Sequence, residues 1–215
     1  MYAGGGASGN QIPSIMRQLL LVLFFSLPAI AGLAQKNTPY LDSMQAFRKD
    51  YIETHGVVKT KEDQAFLQFF PIDPSYRVLC TFERIENSEW FPMPTSGARS
   101  QMHRKYGKLT FSLHNTTLHL FVYQSQDLLQ SAAEKDYLFI PFSDATSGEE
   151  SYGAGRYLEC YIKDVRGGTL LLDFNKAYNP YCAYTTGYNC PIPPKENDLP
   201  VAIRAGEKNY GKKAH

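Results

Sequence analysis

The segment FSDATSGEESYGAGRYL, residues 142–158, brings Asp144, Glu149 and Glu150 close in sequence to Arg156, among several hydroxyls and three glycines. A carboxylic acid held near neutral pKa can serve as acid or base, and a guanidinium can stabilise a developing anion. Arg156 can also hold a carboxylate through two parallel hydrogen bonds, with Glu150 as a partner or as a ligand contact. Glycine permits close backbone approach or positive φ, and Asp144, Thr146 and Ser147 can satisfy turn donors, so the same residues also describe an ordinary long loop. The GAG before Arg156 precedes a strand pattern rather than a helix, which excludes a phosphate loop.

A second concentration is DFNKAYNPYCAYTTGYNCPIPPKEN, residues 173–197, with four tyrosines, two cysteines, four prolines and four asparagines and no regular period. A Cys182–Cys190 disulfide would close a nine-residue loop worth about 2.5 kcal/mol on the chain-entropy account. Their spacing fits no strong metal motif, and nothing like C-x-x-C at a helix start is present to lower a thiol pKa. A redox or metal pair is therefore the third-ranked reading. Cys80 and Cys160 fall on apolar strand faces and read as buried thiols.

His103, His114 and His119 are the remaining catalytic candidates. In a hairpin around HNTT, His114 and His119 would share the non-core face, where a two-histidine metal site is possible, but spacing supplies no third ligand. No metal is assigned.

These groups must be carried by regular elements. Leu41, Met44, Phe47, Tyr51 and Ile52 recur at helical spacing behind Thr38 and Pro39, and a second short helix is expected over residues 61–69 behind Thr60. From Tyr76 the period becomes two: Val78, Cys80 and Phe82, then Leu109, Phe111 and Leu113, then Leu118, Leu120 and Val122. DYLFIPF, GRYLECYIKDV, TLLLDF and LPVAIRA are further strand candidates separated by turn-rich loops such as VRGGT. Short, locally connected strands predict a mainly β fold, an antiparallel β-sandwich or partly closed barrel with two N-terminal helices.

MRQLLLVLFFSLPAIAGLAQ, starting at Met16, reads as a secretory signal with Arg17 as its charged end and a cut after Ala34. Its apolar run is broken by Pro28 and is too short to span a bilayer, so no stable membrane anchor is expected after cleavage. Residues 1–34 are thus upstream extension and signal, and residues 35–215 a single β-rich domain, exported to the periplasm or secreted. Removal of Arg17 leaves 21 basic and 21 acidic residues. That balance argues against nucleic acid as a partner, since nucleic acid is held largely by accumulated positive charge.

FFPIDPSYRV, LFIPFSDATSGEESYGAGRYLE, LDFNKAYNPYCAY and YNCPIPPKENDLPVAIRAGEK, in that order, resemble the bacterial and archaeal domain-of-unknown-function family numbered 1684 over about residues 69–208. The resemblance brings no established activity and no cofactor. It does give weight to Asp144, Ser147, Glu150, Tyr152 and Arg156 in one motif, and to Asn175, Tyr178, Asn179, Cys182, Cys190, Asn197 and Glu207 in the others. The expectation is a binding module in which loops 144–157 and 175–197 line one pocket for a small polar ligand or protein segment. Its ligand-binding residues would be Ser147, Tyr152, Arg156, Asn175, Tyr178, Asn179 and Asn197. The alternative is a hydrolase or lyase using Glu150, Asp144 or Glu207 as acid or base with Arg156 stabilising an anion.

Overall fold

The computed structural model describes residue 5 and residues 38–212. The expected signal and the cut after Ala34 lie outside the described residues, and residues 39–212 lie in one compact unit. Among the described residues no helix is long and apolar enough to cross a membrane.

Among the described residues two helices precede the sheet. α1 spans Thr38–Glu53 with Pro39 in its first turn, where a missing N–H costs nothing. Of its apolar positions Met44 is buried, Leu41, Tyr51 and Ile52 are half-buried and Phe47 is exposed, so the helix lies on the surface, tied to Asp173 through Tyr40 and to Glu207 through Tyr51. α2 is Lys61–Gln64, with the Thr60 hydroxyl accepting from the Asp63 N–H at 3.1 Å. The expected helix over residues 61–69 stops short because the next backbone groups are taken from outside it. Phe66 O accepts from Gly211 N–H, Gln68 O from Lys208 N–H, and the Phe70 N–H donates to Gly206 O.

The strands are β1 (Arg77–Arg84), β2 (Phe91–Met93), β3 (Gln101–Leu113), β4 (Thr116–Ser125), β5 (Tyr137–Asp144), β6 (Arg156–Tyr161), β7 (Thr169–Asp173) and β8 (Asp198–Leu199). They form one sheet in the order β6-β5-β4-β3-β1-β7, with β2 added to β3 and β8 to β5. Pairing is antiparallel except for the short parallel β5–β8 contact. The fold is mainly β, an antiparallel half-barrel, as the period-two pattern predicts.

The β3–β4 hairpin turns on His114 and Asn115 alone, at φ 48° and 63°, with Leu113 opposite Thr116 and Phe111 opposite Leu118. The hairpin expected around HNTT therefore closes on a two-residue primed turn, with Thr116 in the strand rather than in the turn. His114 packs edge-on against Tyr76, while His119 meets the Thr110 hydroxyl at 2.9 Å. The two histidines do not form a pair, and no metal-binding group of side chains exists among the described residues.

One face of the sheet carries the main core, including Val78, Cys80, Leu109, Phe111, Leu120, Val122, Leu138, Ile140, Phe142, Leu158 and Leu172. A smaller core on the other face joins Met93, Tyr123, Phe139 and Tyr157. β5 is thus buried on both sides, which is why its sequence runs apolar without alternating. Cys80 and Cys160 are buried free thiols, pushed up to about 12 by desolvation. A thiol so far from ionisation is a poor nucleophile.

Candidate functional site

Loop 144–157 closes largely on itself. Thr146 O accepts from the N–H groups of Glu149, Glu150 and Ser151, and the Asp144 N–H donates to Ser147 Oγ. Gly155 has φ 88°, and a Cβ there would sit 2.6 Å from Phe142 O, so the close approach requires glycine.

Arg156 is completely buried at the base of this loop. Its guanidinium donates to Asp144 Oδ2 at 2.8 Å, to Ile203 O at 2.8 Å, to Glu207 O at 3.0 Å and to the Ala205 carbonyl at 2.5 Å. Burial lowers its pKa and the adjacent Asp144 opposes that shift. Asp144 Oδ1 in turn accepts from Thr146 N–H and Ile203 N–H. Arg156 therefore occupies the carbonyls that a neighbouring strand would have taken, which explains why LPVAIRA gives only Leu199 to the two-residue β8 and then runs irregularly.

Glu207 is a second buried anchor. Its carboxylate accepts from Tyr184 OH at 2.6 Å, Tyr51 OH at 3.0 Å and the Asn179 N–H at 2.9 Å. Burial raises its pKa to about 7 against those three donors and Arg156. His55 packs edge-on to Tyr184 at 4.6 Å and is held down to about 4, first by burial and then by Lys59.

These two groups give opposite pH dependences. The Glu207 pKa is raised from 4.5 in the unfolded chain to about 7, so the folded protein holds the extra proton and stability falls as pH rises through that window. The His55 pKa is lowered from 6.5 to about 4, so stability falls as pH drops through its window. Glu207→Gln removes only the first. The stability of the wild type relative to Glu207→Gln is expected to decline between pH 4.5 and 7 and to be level on either side. Urea denaturation at a series of pH values checks this, and a difference that is level throughout would show that Glu207 titrates normally.

The other motif residues divide clearly. Asn175 ties residue 73 to the 3-10 turn at 174–176, donating to Asp73 O at 2.8 Å and accepting from Asp73 N–H at 2.9 Å. Asn197 bridges Phe121 and Pro141. Ser147 caps its own loop, and Tyr152 is half-buried. Glu150 pairs with Arg204 at 2.8 Å on the surface, with side chains 37% and 60% exposed. Asp144, Glu150 and Glu207 stand outside the lining of the cavity beneath loop 175–197.

The two loops do meet, through reciprocal backbone bonds between Tyr157 and Tyr178 at 2.8 and 3.1 Å. The third participant is the chain around Glu207, whose N–H donates to Ala177 O. Where they join, loop 175–197 lies over the outer face of β3, β4, β5 and β6 and borders a cavity of about 430 Å³ that opens to solvent. Six aromatic rings line it: Tyr137, Phe139, Tyr157, Tyr178, Tyr181 and Tyr188. Tyr157 and Phe139 are edge-on at 4.7 Å, Tyr157 and Tyr178 at 5.8 Å, and Tyr181 and Tyr188 at 5.1 Å. Perpendicular neighbours of this kind hold one another at fixed angles.

The polar part of the lining is Gln101, His103, Ser125, Asp127, Asn179 and Asn189. His103 is buried, and its Nδ1 lies 3.1 Å from Gln101 O, which fixes the proton on that nitrogen and leaves Nε2 as an acceptor. Asn179 donates through Nδ2 to Lys208 O at 2.8 Å, while its Oδ1 is buried without a hydrogen-bond partner. Cys190, also in the lining, stands at disulfide distance from Cys182, with S–S 2.22 Å. The pair closes the segment that forms the cavity's cover.

Of the positions singled out from sequence, Tyr178, Asn179, His103 and Cys190 line this cavity, whereas Arg156, Asn175 and Asn197 are outside its lining and hold backbone elsewhere. Sequence reasoning passed over Tyr137 and Phe139. The signal that could have found them is the unbroken apolar run of β5, since a strand apolar on both faces needs a cover on each.

Residues 63–208 match the family described as protein of unknown function DUF1684. The solution NMR structure of an uncharacterised protein of Haloarcula marismortui is similar, at 33% identity over 79% of this chain and 94% of that one, with a TM-score of 0.60. No curated protein matches the chain.

Proposed function

We propose that this chain, which belongs to the DUF1684 family of unknown function, is an exported binding module that holds a small ligand in the aromatic cavity under loop 175–197. The observation that carries this reading is an open cavity of about 430 Å³ lined by six rings and a few polar groups, the composition expected of a small-molecule site. The buried motif residues support it indirectly. Arg156 holds the Glu207 backbone and the Glu207 carboxylate holds the Asn179 N–H, so this part of the wall is set before a ligand arrives. The Cys182–Cys190 pair is consistent with an oxidising compartment such as the periplasm.

A small-fragment library screened by ligand-observed NMR against the wild type and Leu128→Trp tests the reading. Leu128 lies in the lining, and a larger ring there takes up cavity space. Fragments that bind the wild type are expected to lose tenfold or more in affinity to the variant. A set of binders that all ignore Leu128→Trp would overturn the proposal.

A further inference from the structure

We propose that the ligand of this cavity is a small organic cation carrying a protonated amine, an assignment that rests on the cavity being a binding site. The charge pattern of the lining is one-sided. It includes the carboxylate of Asp127 and no lysine or arginine. Behind the wall stands the unpartnered Oδ1 of Asn179, whose carbonyl dipole is compensated by no donor. His103 adds an acceptor nitrogen, because its proton is committed to Gln101 O.

The rings point the same way. Tyr137 OH donates to Glu159 Oε2 at 2.9 Å, Tyr178 OH donates to the same oxygen at 3.2 Å, and Tyr157 OH donates to Pro191 O. Three hydroxyl protons are thus committed to the protein and cannot serve an anionic ligand. A phenol donating to a carboxylate also gains electron density in its ring, which makes the ring face more attractive to a positive charge. Aromatic walls at right angles to one another with a nearby carboxylate are the arrangement that recognises ammonium groups. An anion would meet Asp127 and two acceptors with no cation to receive it. A neutral ligand of the same shape would gain the apolar contact and forgo the charge term.

The test compares three probes of one shape in calorimetric titrations of the intact protein near pH 7: 3-methylbutylammonium, 3-methylbutan-1-ol and 4-methylpentanoate. The ammonium is expected to bind at least tenfold more tightly than the alcohol, and the carboxylate more weakly than either. Asp127→Asn, a change at an exposed position, is expected to weaken the ammonium several-fold and leave the alcohol unchanged. Tyr188→Ala, at a ring 43% exposed, is expected to weaken the ammonium without lowering the melting temperature. Equal affinity for alcohol and ammonium, or tighter binding of the carboxylate, would overturn the assignment. Neutral or anionic fragments that are sensitive to Leu128→Trp and bind more tightly than every ammonium tested would sink the charge assignment and leave the cavity's role standing. If no binder senses Leu128→Trp, both readings fail together.

Discussion

Replacing Arg156 by Met is expected to destabilise the protein by about 3–5 kcal/mol, the usual cost of removing one partner of a buried ion pair. The cost comes from what is stranded. Asp144 Oδ2 keeps its charge with its cation gone, and the carbonyls of Ile203, Ala205 and Glu207 lose the donor that reaches them. The orphaned charge is the larger part, so adding Asp144→Asn should recover some of the loss even though a further hydrogen-bonding group has been altered. The amide introduced by that second change could keep an acceptor for Thr146 N–H and Ile203 N–H and turn its own donor toward a freed carbonyl. Equilibrium urea unfolding of the single and double variants gives both numbers. A single variant within about 1 kcal/mol of wild type, the range of an exposed pair, would show that Arg156 is not the strut described.

Asn197→Ala is expected to cost about 3 kcal/mol, since buried unpaired backbone groups cost about 1–3 kcal/mol each and three would be left. β4 and β5 pair at Tyr123 and Phe139, and two residues further along Phe121 comes opposite Pro141. Proline has no N–H, so the ladder cannot continue there. The Asn197 side chain replaces it, accepting from Phe121 N–H at 2.7 Å and donating to Phe121 O at 2.9 Å and Pro141 O at 2.7 Å. Asn197→Asp retains the size and removes the two donors, so it should be at least as damaging. If Asp is tolerated while Ala is not, packing rather than this amide bridge is what Asn197 supplies.

Much of the sheet was legible because burial writes a period of two into Val78–Cys80, Leu109–Phe111–Leu113 and Leu118–Leu120–Val122. β2 was not, because three residues containing Pro92 show no period and are held only by pairing with β3. The end of the chain was misread as a strand for a different reason. Val201, Ile203 and Ala205 alternate as a strand would, yet the carbonyls of Ile203 and Ala205 go to a side chain far away in sequence. The site had the same ambiguity. An arginine and an asparagine in a glycine-rich loop have the chemistry to bind a ligand and equally the chemistry to hold irregular backbone, and residue type alone does not separate the two. Exposure separates them: Arg156, Asn175 and Asn197 are sealed, whereas Tyr181 and Tyr188 reach solvent at the cavity.

The central claim is that the cavity beneath loop 175–197, and not the glycine-rich loop, is where ligands bind. Backbone amide shifts of the isotopically labelled protein, followed while 3-methylbutylammonium is added, test it most directly. The account predicts movement at His103, Ser125, Asn179, Tyr188 and Asn189, with residues 147–153 and Arg204 unmoved. Shifts concentrated around Glu150 and Arg204, with the cavity residues silent, would contradict it.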